Sequence, residues 1–132
     1  MTDRAQLTLD LPHRSADGRE DFFVTTKVER SLLEADKLYL SVESSLLKLK
    51  LEYIDLLLIH WPNPQVPLDQ TIESMLILKE QGKVANIGVS NFPLSLLKQA
   101  REVYLAPIFC NQVEYHPLLG QFDLLDYALE HD

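Results

Sequence analysis

The sequence has a single cysteine, Cys110. No disulfide can therefore close within the chain, and zinc clusters of the ribbon kind lack their ligands, so no metal site is expected. A lone thiol fits a reducing cytoplasm, and Cys110 itself reads as a small apolar residue of a buried strand. Long apolar runs are missing too. The longest, Leu56 to Ile59, is far too short to span a bilayer, and no N-terminal stretch has the length of a signal peptide. Neither membrane insertion nor secretion is expected. Positive charge is scarce, with 12 Lys and Arg against 20 Asp and Glu and a net charge of −8. That balance argues against nucleic acid and anionic membranes as partners. What is present, 46% hydrophobic and 24% charged residues with five Phe and five Tyr, is the composition of a soluble globular protein, and 132 residues allow one domain.

Residues 1–17 read as an irregular N-terminal arm. It contains Pro12, mixed charge and one weak alternation at Leu7, Leu9 and Leu11. Residues 18–132 read as the folded domain. Within it Phe22 to Val28 is rich in strand-forming residues. Leu38, Val42, Leu46 and Leu49 then make one face of a helix placed over Ser31 to Leu49. Ile54 to Ile59 is nearly continuous in apolar residues, as a strand covered on both faces would be. After a loop stiffened by Pro62, Pro64 and Pro67, Asp69 is expected to cap a helix running to Gln81. Its buried stripe is Ile72, Met75 and Leu76, and Gly82 stands at the residue after its C-cap. Val84 to Val89 is the next strand. Pro93 opens a helix with Leu96, Leu97, Ala100 and Val103 on its stripe, Ile108 to Tyr115 is a strand, and Phe122 begins a last helix. Strands recur at roughly 30-residue intervals, the length of a βαβ unit, and right-handed crossovers would make them parallel neighbours.

In a parallel α/β fold the active site lies at the C-terminal ends of the strands. Two strand ends carry a chemically useful residue: Lys27 in the first and His60 in the second. Side chains alternate faces along a strand, so an inward Lys27 takes Thr25 and Phe23 with it and leaves Val24 and Thr26 toward the helices. From the residues alone, Lys27 is either a solvated lysine at the rim or part of a charged cluster, because a buried ammonium is costly unless paired. His60 reads equally as a rim or core histidine, and Ser90 with Asn91 as an N-cap pair for the following helix. Glu114, His116, His13 and His131 have no assignable role, and the helix face near Glu43 and Lys48 is expected to be solvated.

Four segments, in this order, carry a resemblance: FVTTKV (Phe23 to Val28), DLLLIHWP (Asp55 to Pro62), QGKVANIGVSNF (Gln81 to Phe92) and NQVEYHP (Asn111 to Pro117). Together they resemble the aldo-keto reductases, with a flavour similar to the bacterial reductases of diketo-sugar acids and small aldehydes. The resemblance covers about Gly18 to Asp132. It implies an α/β fold, a partial (β/α)8 TIM barrel holding about four parallel β-α units, the family's strands three to six. It implies NADPH-dependent reduction of aldehydes or ketones to alcohols, on a small-molecule carbonyl substrate. In the family a tyrosine protonates the developing alkoxide, a lysine salt-bridged to an aspartate lowers that tyrosine's pKa, and a histidine orients the carbonyl. By resemblance Lys27 is the tuning lysine and His60 the orienting histidine. Trp61 is a wall of the substrate pocket, and Ser90, Asn91 and Gln112 hydrogen-bond the nicotinamide carboxamide.

The family's tyrosine stands five residues after its aspartate, and this spacing is not found. The residues five before Tyr39, Tyr53, Tyr104, Tyr115 and Tyr127 are Glu34, Lys48, Gln99, Cys110 and Phe122. A whole barrel of this kind also takes about 250 residues. The expectation is a truncated reductase, inactive or weakly active as it stands, whose open sheet edges favour self-association. Two other readings remain at this point. One is a non-catalytic fragment or self-associating remnant of a reductase. The other is a different (β/α) enzyme using Lys27 as a Schiff-base nucleophile.

Overall fold

A computed structural model describes residues 16–131. The expected irregular arm lies outside the described residues, except for its last two, which open a 3-10 turn over Ala16–Asp21. Four strands follow, β1 (Thr25–Val28), β2 (Ile54–Ile59), β3 (Val84–Ser90) and β4 (Ile108–Gln112). They alternate with α1 (Ala35–Leu49), α2 (Leu68–Glu80), α3 (Leu94–Lys98) and α4 (Phe122–His131). The strands form one parallel sheet in the order β1-β2-β3-β4. Its register sets Thr25 beside Leu56, Lys27 beside Leu58, and Leu58 beside Gly88. The helices cover one face of this sheet, as right-handed crossovers require.

Burial follows strand position. Leu56, Leu57, Leu58 and Ile59 are all buried, and so are Ile87, Gly88, Val89 and Ser90, so the C-terminal halves of β2 and β3 are sealed on both faces. β4 is partly buried at Ile108, Cys110 and Asn111 and exposed at Phe109 and Gln112. Cys110 is thus a half-buried residue of an edge strand, short of the full burial its composition suggests, because no further strand covers it among the described residues.

The sheet is curled. Phe23, just before β1, stacks on Phe109 of β4 with ring centroids 5.9 Å apart. Three strand spacings, about 14 Å, separate the outer strands of a flat four-stranded sheet, and side chains stand perpendicular to it. The rings meet because the inner face is concave. A bulge between Ile87 and Val89 sharpens this curl by inserting an extra residue into β4. Gly88 sits at the bulge, and a Cβ there would lie 2.7 Å from Leu58 Cδ2 and 2.9 Å from the Cys110 carbonyl oxygen.

The helical stripes are close to those expected, with instructive departures. α1 buries Leu38, Val42, Leu46 and Leu49, after a short 3-10 turn at Arg30–Leu32 that replaces the helix start expected at Ser31. α2 starts one residue before Asp69, with Pro67 in the N-cap position. Asp69 therefore acts in the first turn through the helix dipole, and makes no cap bond. The buried face of α2 is Thr71, Ile72, Ser74, Met75 and Leu78, while Leu76 is only half-buried. Thr71 Oγ1 donates to Leu33 O at 3.1 Å, which satisfies its hydroxyl and ties α2 to the end of the 3-10 turn. After α3 the chain widens into a π turn over Gln99–Val103. The wider pitch rotates Val103 off the stripe, and it is exposed.

Two ends of the sheet are held differently. At the N-terminal end Arg19 donates to Asp55 Oδ2 at 2.6 Å, to Tyr53 O at 3.1 Å and to Phe22 O at 2.7 Å, with its guanidinium 4.0 Å above the Tyr53 ring. Asp55 also accepts the Val24 N–H at 2.8 Å, so one carboxylate pins the starts of β1 and β2. The helix ends are closed by paired 6→1 and 5→2 bonds. In α2, Lys83 N–H reaches Leu78 O and Gly82 N–H reaches Lys79 O, with Gly82 at φ 74° as expected. In α1, Leu51 N–H reaches Leu46 O and Lys50 N–H reaches Leu47 O, but Lys50 occupies the left-handed position at φ 55°.

A left-handed residue with a Cβ costs about 1–2 kcal/mol that glycine does not incur. Lys50→Gly is therefore expected to raise unfolding stability by about 1 kcal/mol in urea titration; an unchanged or lower midpoint would contradict the assignment. Gly88→Ala is expected to lower stability by about 1–3 kcal/mol, the usual cost of overpacking a closed site, measured the same way.

Candidate functional site

The parallel arrangement brings the C-terminal ends of all four strands to one side. Val24, just before β1, and Thr26 and Val28 within it are buried under the helices, whereas Phe23 and Thr25 are exposed and Lys27 is half-buried on the concave face. This is the alternation expected for an inward Lys27. His60 follows directly on β2, two residues beyond Leu58 and on the same face. Its N–H donates to Val28 O at 3.0 Å, which carries the β1–β2 pairing past the end of β2. Trp61 comes next and is half exposed at the mouth. Among the described residues the Lys27 ammonium makes no ion pair, and the His60 ring makes no hydrogen bond.

Ser90, Asn91 and Gln112 form a backbone knot that joins three strand ends. Asn91 has φ 59°, a left-handed conformation that Asn tolerates better than most residues. This turn aims its N–H at Gln112 O, at 2.9 Å. Its Nδ2 donates to His60 O at 2.9 Å and to Ser90 Oγ at 3.2 Å. Ser90 Oγ donates to the same Gln112 O at 2.9 Å. One asparagine thus ties β2, β3 and β4 together just where their polar side chains emerge. Ser90 and Asn91 do not cap the next helix, since no side chain caps α3.

The polar capacity left over defines what this end can bind. Both Nδ2 protons of Asn91 are used, and its Oδ1 is left to accept. The Gln112 side chain is exposed and, among the described residues, makes no hydrogen bond, so it can both donate and accept. This end of the sheet therefore offers one free acceptor on Asn91 and a free donor and acceptor on Gln112. Ser90 is 1% exposed with its proton committed to Gln112 O, which gives it a positioning role.

Sequence reasoning missed Asn111. Its Nδ2 donates to Phe92 O at 2.9 Å and its Oδ1 accepts the Phe92 N–H at 3.3 Å. This side chain replaces a strand partner for the turn after β3. An asparagine on the helix-covered face beside Gln112 was the available signal, because an amide there must find partners. The residues without an assigned role are local. Glu114 and His116 pair at 2.8 Å, and His131 stacks on Tyr127 at 4.1 Å; His13 lies outside the described residues. Glu43 pairs with Lys83 on the exposed surface, where such a pair adds little. No group of His, Cys, Asp and Glu among the described residues could hold a metal ion.

A cavity of about 460 Å³ lies elsewhere, between the free side of β4 and α4, lined by Ile108, Phe109, Val113, Leu124 and Leu125. Its walls are largely apolar, and it includes none of the strand-end residues proposed to act in chemistry. Burial pushes the Cys110 thiol on its wall above the usual cysteine range.

Comparison with known proteins adds an independent line. The model of the aldo/keto reductase family matches residues 6–132, a start further upstream than the wording alone carries the resemblance. Methylglyoxal reductase DkgB of Yersinia pestis is 40% identical over 114 residues, which is 84% of this chain and 43% of that protein. An aldo-keto reductase of Mycobacterium avium is 41% identical over 115 residues, 86% of this chain and 40% of that one. The crystal structure of a silkworm (Bombyx mori) aldo-keto reductase complexed with NADPH superposes with a TM-score of 0.80. It is 31% identical and covers 86% of this chain and 37% of its own. The chain thus spans less than half the length of these relatives, in keeping with four β-α units of an eight-unit barrel.

Removing the Asn91 side chain tests the knot. Asn91→Ala loses two hydrogen bonds and leaves a Cβ in a left-handed position, and is expected to cost about 2–3 kcal/mol. Asn91→Gly keeps the turn unstrained and is expected to cost about 1–2 kcal/mol. Equal losses in the two variants would show that the backbone conformation at this residue carries no strain.

Proposed function

The chain belongs to the aldo/keto reductase family, and on that premise we propose that its strand ends form part of an NADPH-dependent carbonyl-reductase site that converts aldehydes or ketones to alcohols. The observation that supports this most is positional. Lys27, His60, the Ser90–Asn91 turn and Gln112 follow one another at the C-terminal ends of adjacent parallel strands, in the order of the family's wording.

Each residue has a distinct task in this reading. His60 orients a small-molecule carbonyl by donating to its oxygen from a ring that has no other partner among the described residues. Lys27 places a positive charge on the concave face, where it would lower the pKa of a phenol brought beside it and favour its loss of a proton. Trp61 forms an apolar wall at the mouth. Asn91 and Gln112 hold the carboxamide of the nicotinamide, and Ser90 holds Asn91. The cofactor, when bound, supplies the hydride; the protein's share is orientation and the handling of one proton.

The proton donor is the weak point. No tyrosine in the 132 residues follows an aspartate by five, and general acid–base catalysis contributes about 10²–10⁴-fold. The chain by itself is therefore proposed to turn over carbonyls feebly or not at all. The second reading, a non-catalytic chain that associates with itself, is favoured by the outer edges of β1 and β4, which pair with no further strand among the described residues, and by the exposed Phe23 and Phe109. In both readings the domain is residues 18–132. Its setting is the cytoplasm, where the single thiol of Cys110 stays reduced.

Trp61 is the only tryptophan, so its fluorescence reports on this mouth alone. Titration with NADPH is expected to quench it saturably, with Gln112→Ala weakening the effect at least several-fold. Any turnover that accompanies binding should fall with Lys27→Met and His60→Ala. No quenching at millimolar NADPH would leave the second reading.

A further inference from the structure

Both residues beside the left-handed Asn91 are tied to β4. Before it, Ser90 Oγ donates to Gln112 O at 2.9 Å. After it, Phe92 is held by Asn111 at both of its main-chain groups, with Asn111 Nδ2 donating to Phe92 O at 2.9 Å and Asn111 Oδ1 accepting the Phe92 N–H at 3.3 Å. β3 has ended at Ser90 and the Phe92 ring is buried in the core, so no strand ladder serves this residue and a side chain does so instead. The bulge in β4 makes that reach possible. Ile87 pairs with Ile108 but Val89 with Asn111, so two steps along β3 match three along β4. Strict alternation would put Asn111 on the concave face with Phe109. With the extra residue, Phe109 and Gln112 are the exposed pair, and Asn111 turns to the helix-covered face.

We propose that Asn111 is a positioning residue of the strand-end site: acting through the Phe92 main chain, its amide holds Asn91 in the left-handed turn and so sets where the free Asn91 Oδ1 points. For its bearing on the cofactor this rests on the reading above, in which Asn91 and Gln112 hold the carboxamide. A residue with a Cβ stays at positive φ only where its surroundings over-determine it. Here the constraint comes from both sides, Ser90 before the turn and Asn111 after it, and both lead to consecutive residues of β4. Without the Asn111 amide, the Phe92 N–H and C=O lose their partners. They regain them only by rotating or by admitting water, and a rotation at Phe92 passes directly to the Asn91 peptide. The Asn91 N–H would then leave Gln112 O, and its Nδ2 would leave His60 O. One amide on the far face of β4 thus governs both the polar groups left at the mouth and the backbone that carries His60.

The test is hydrogen exchange of the whole chain followed by NMR, without cofactor. In Asn111→Ala the protection of the Asn91 N–H is expected to fall about tenfold or more relative to the amides of β2. Thr71→Ala is the control. It also removes a side-chain bond to a main-chain carbonyl, far from the strand ends, and is expected to leave Asn91 no less protected relative to β2. An unchanged ratio in Asn111→Ala, or the same fall in Thr71→Ala, would overturn the proposal. Should Asn111→Ala not fold, the unaltered chain decides: the Asn111 Nδ2 protons are expected to exchange slowly, and exchange at the rate of a free side-chain amide would overturn it. The link to the cofactor is read separately, by NADPH quenching of Trp61, which Asn111→Ala is expected to weaken several-fold. If the unaltered chain shows no quenching, the carboxamide reading fails, and exchange alone decides whether Asn111 sets the turn. Binding that is unaffected in a variant whose Asn91 has lost protection would overturn the role of Asn111 in the site.

Discussion

The C-terminal halves of β2 and β3 are buried on both faces, and most of the architecture follows from that. A backbone N–H or C=O in such a strand has nowhere to turn except a neighbouring strand. β2 therefore needs β1 and β3, and β3 needs β2 and β4. The parallel direction needs a crossover of a dozen or more residues between consecutive strands, and the helices supply it. Once the strands are parallel, every strand ends on the same side. Lys27, His60, Asn91 and Gln112 stand far apart in sequence yet gather at one mouth because of this.

The two ends of the sheet solve the same problem with different chemistry. At the N-terminal end a charged pair, Arg19 and Asp55, gathers the backbones of Phe22, Val24 and Tyr53. At the C-terminal end neutral groups do the work, through Asn91, Ser90 and Asn111. The difference matters for chemistry. Amides and a hydroxyl fix the geometry without adding a charge to the mouth.

The fold was legible where one period dominates. The α1 stripe, the doubly buried β2 and the left-handed Gly82 all follow from spacing and residue type. Misses occurred where a local preference was overruled. Asp69 is a good cap, but Pro67, whose ring suits a helix entry, takes the position. Val103 fits a 3.6-residue stripe, but the π turn at Gln99–Val103 changes the pitch. The Phe23–Phe109 stack was invisible because it spans the whole sheet and depends on curvature, which no local pattern encodes. At the site, the identities of the strand-end residues were readable from their wording. Their hydrogen-bonded knot was not, since it arises from backbone groups of three strands meeting at one asparagine.

Closure of the sheet and chemistry at its mouth are one problem. Lys27 is half-buried on a face that is open among the described residues, so water solvates its ammonium and no counterion is needed. Anything that covers the concave face removes that water. The ammonium then needs a partner, because an unpaired buried charge costs several kcal/mol or loses its proton. An anion or an ionisable phenol at the mouth would be drawn to it for the same reason. Lys27 acquires strong electrostatic influence only when the concave face is covered and the local dielectric falls. Whatever covers that face would therefore also set the electrostatics at the strand ends.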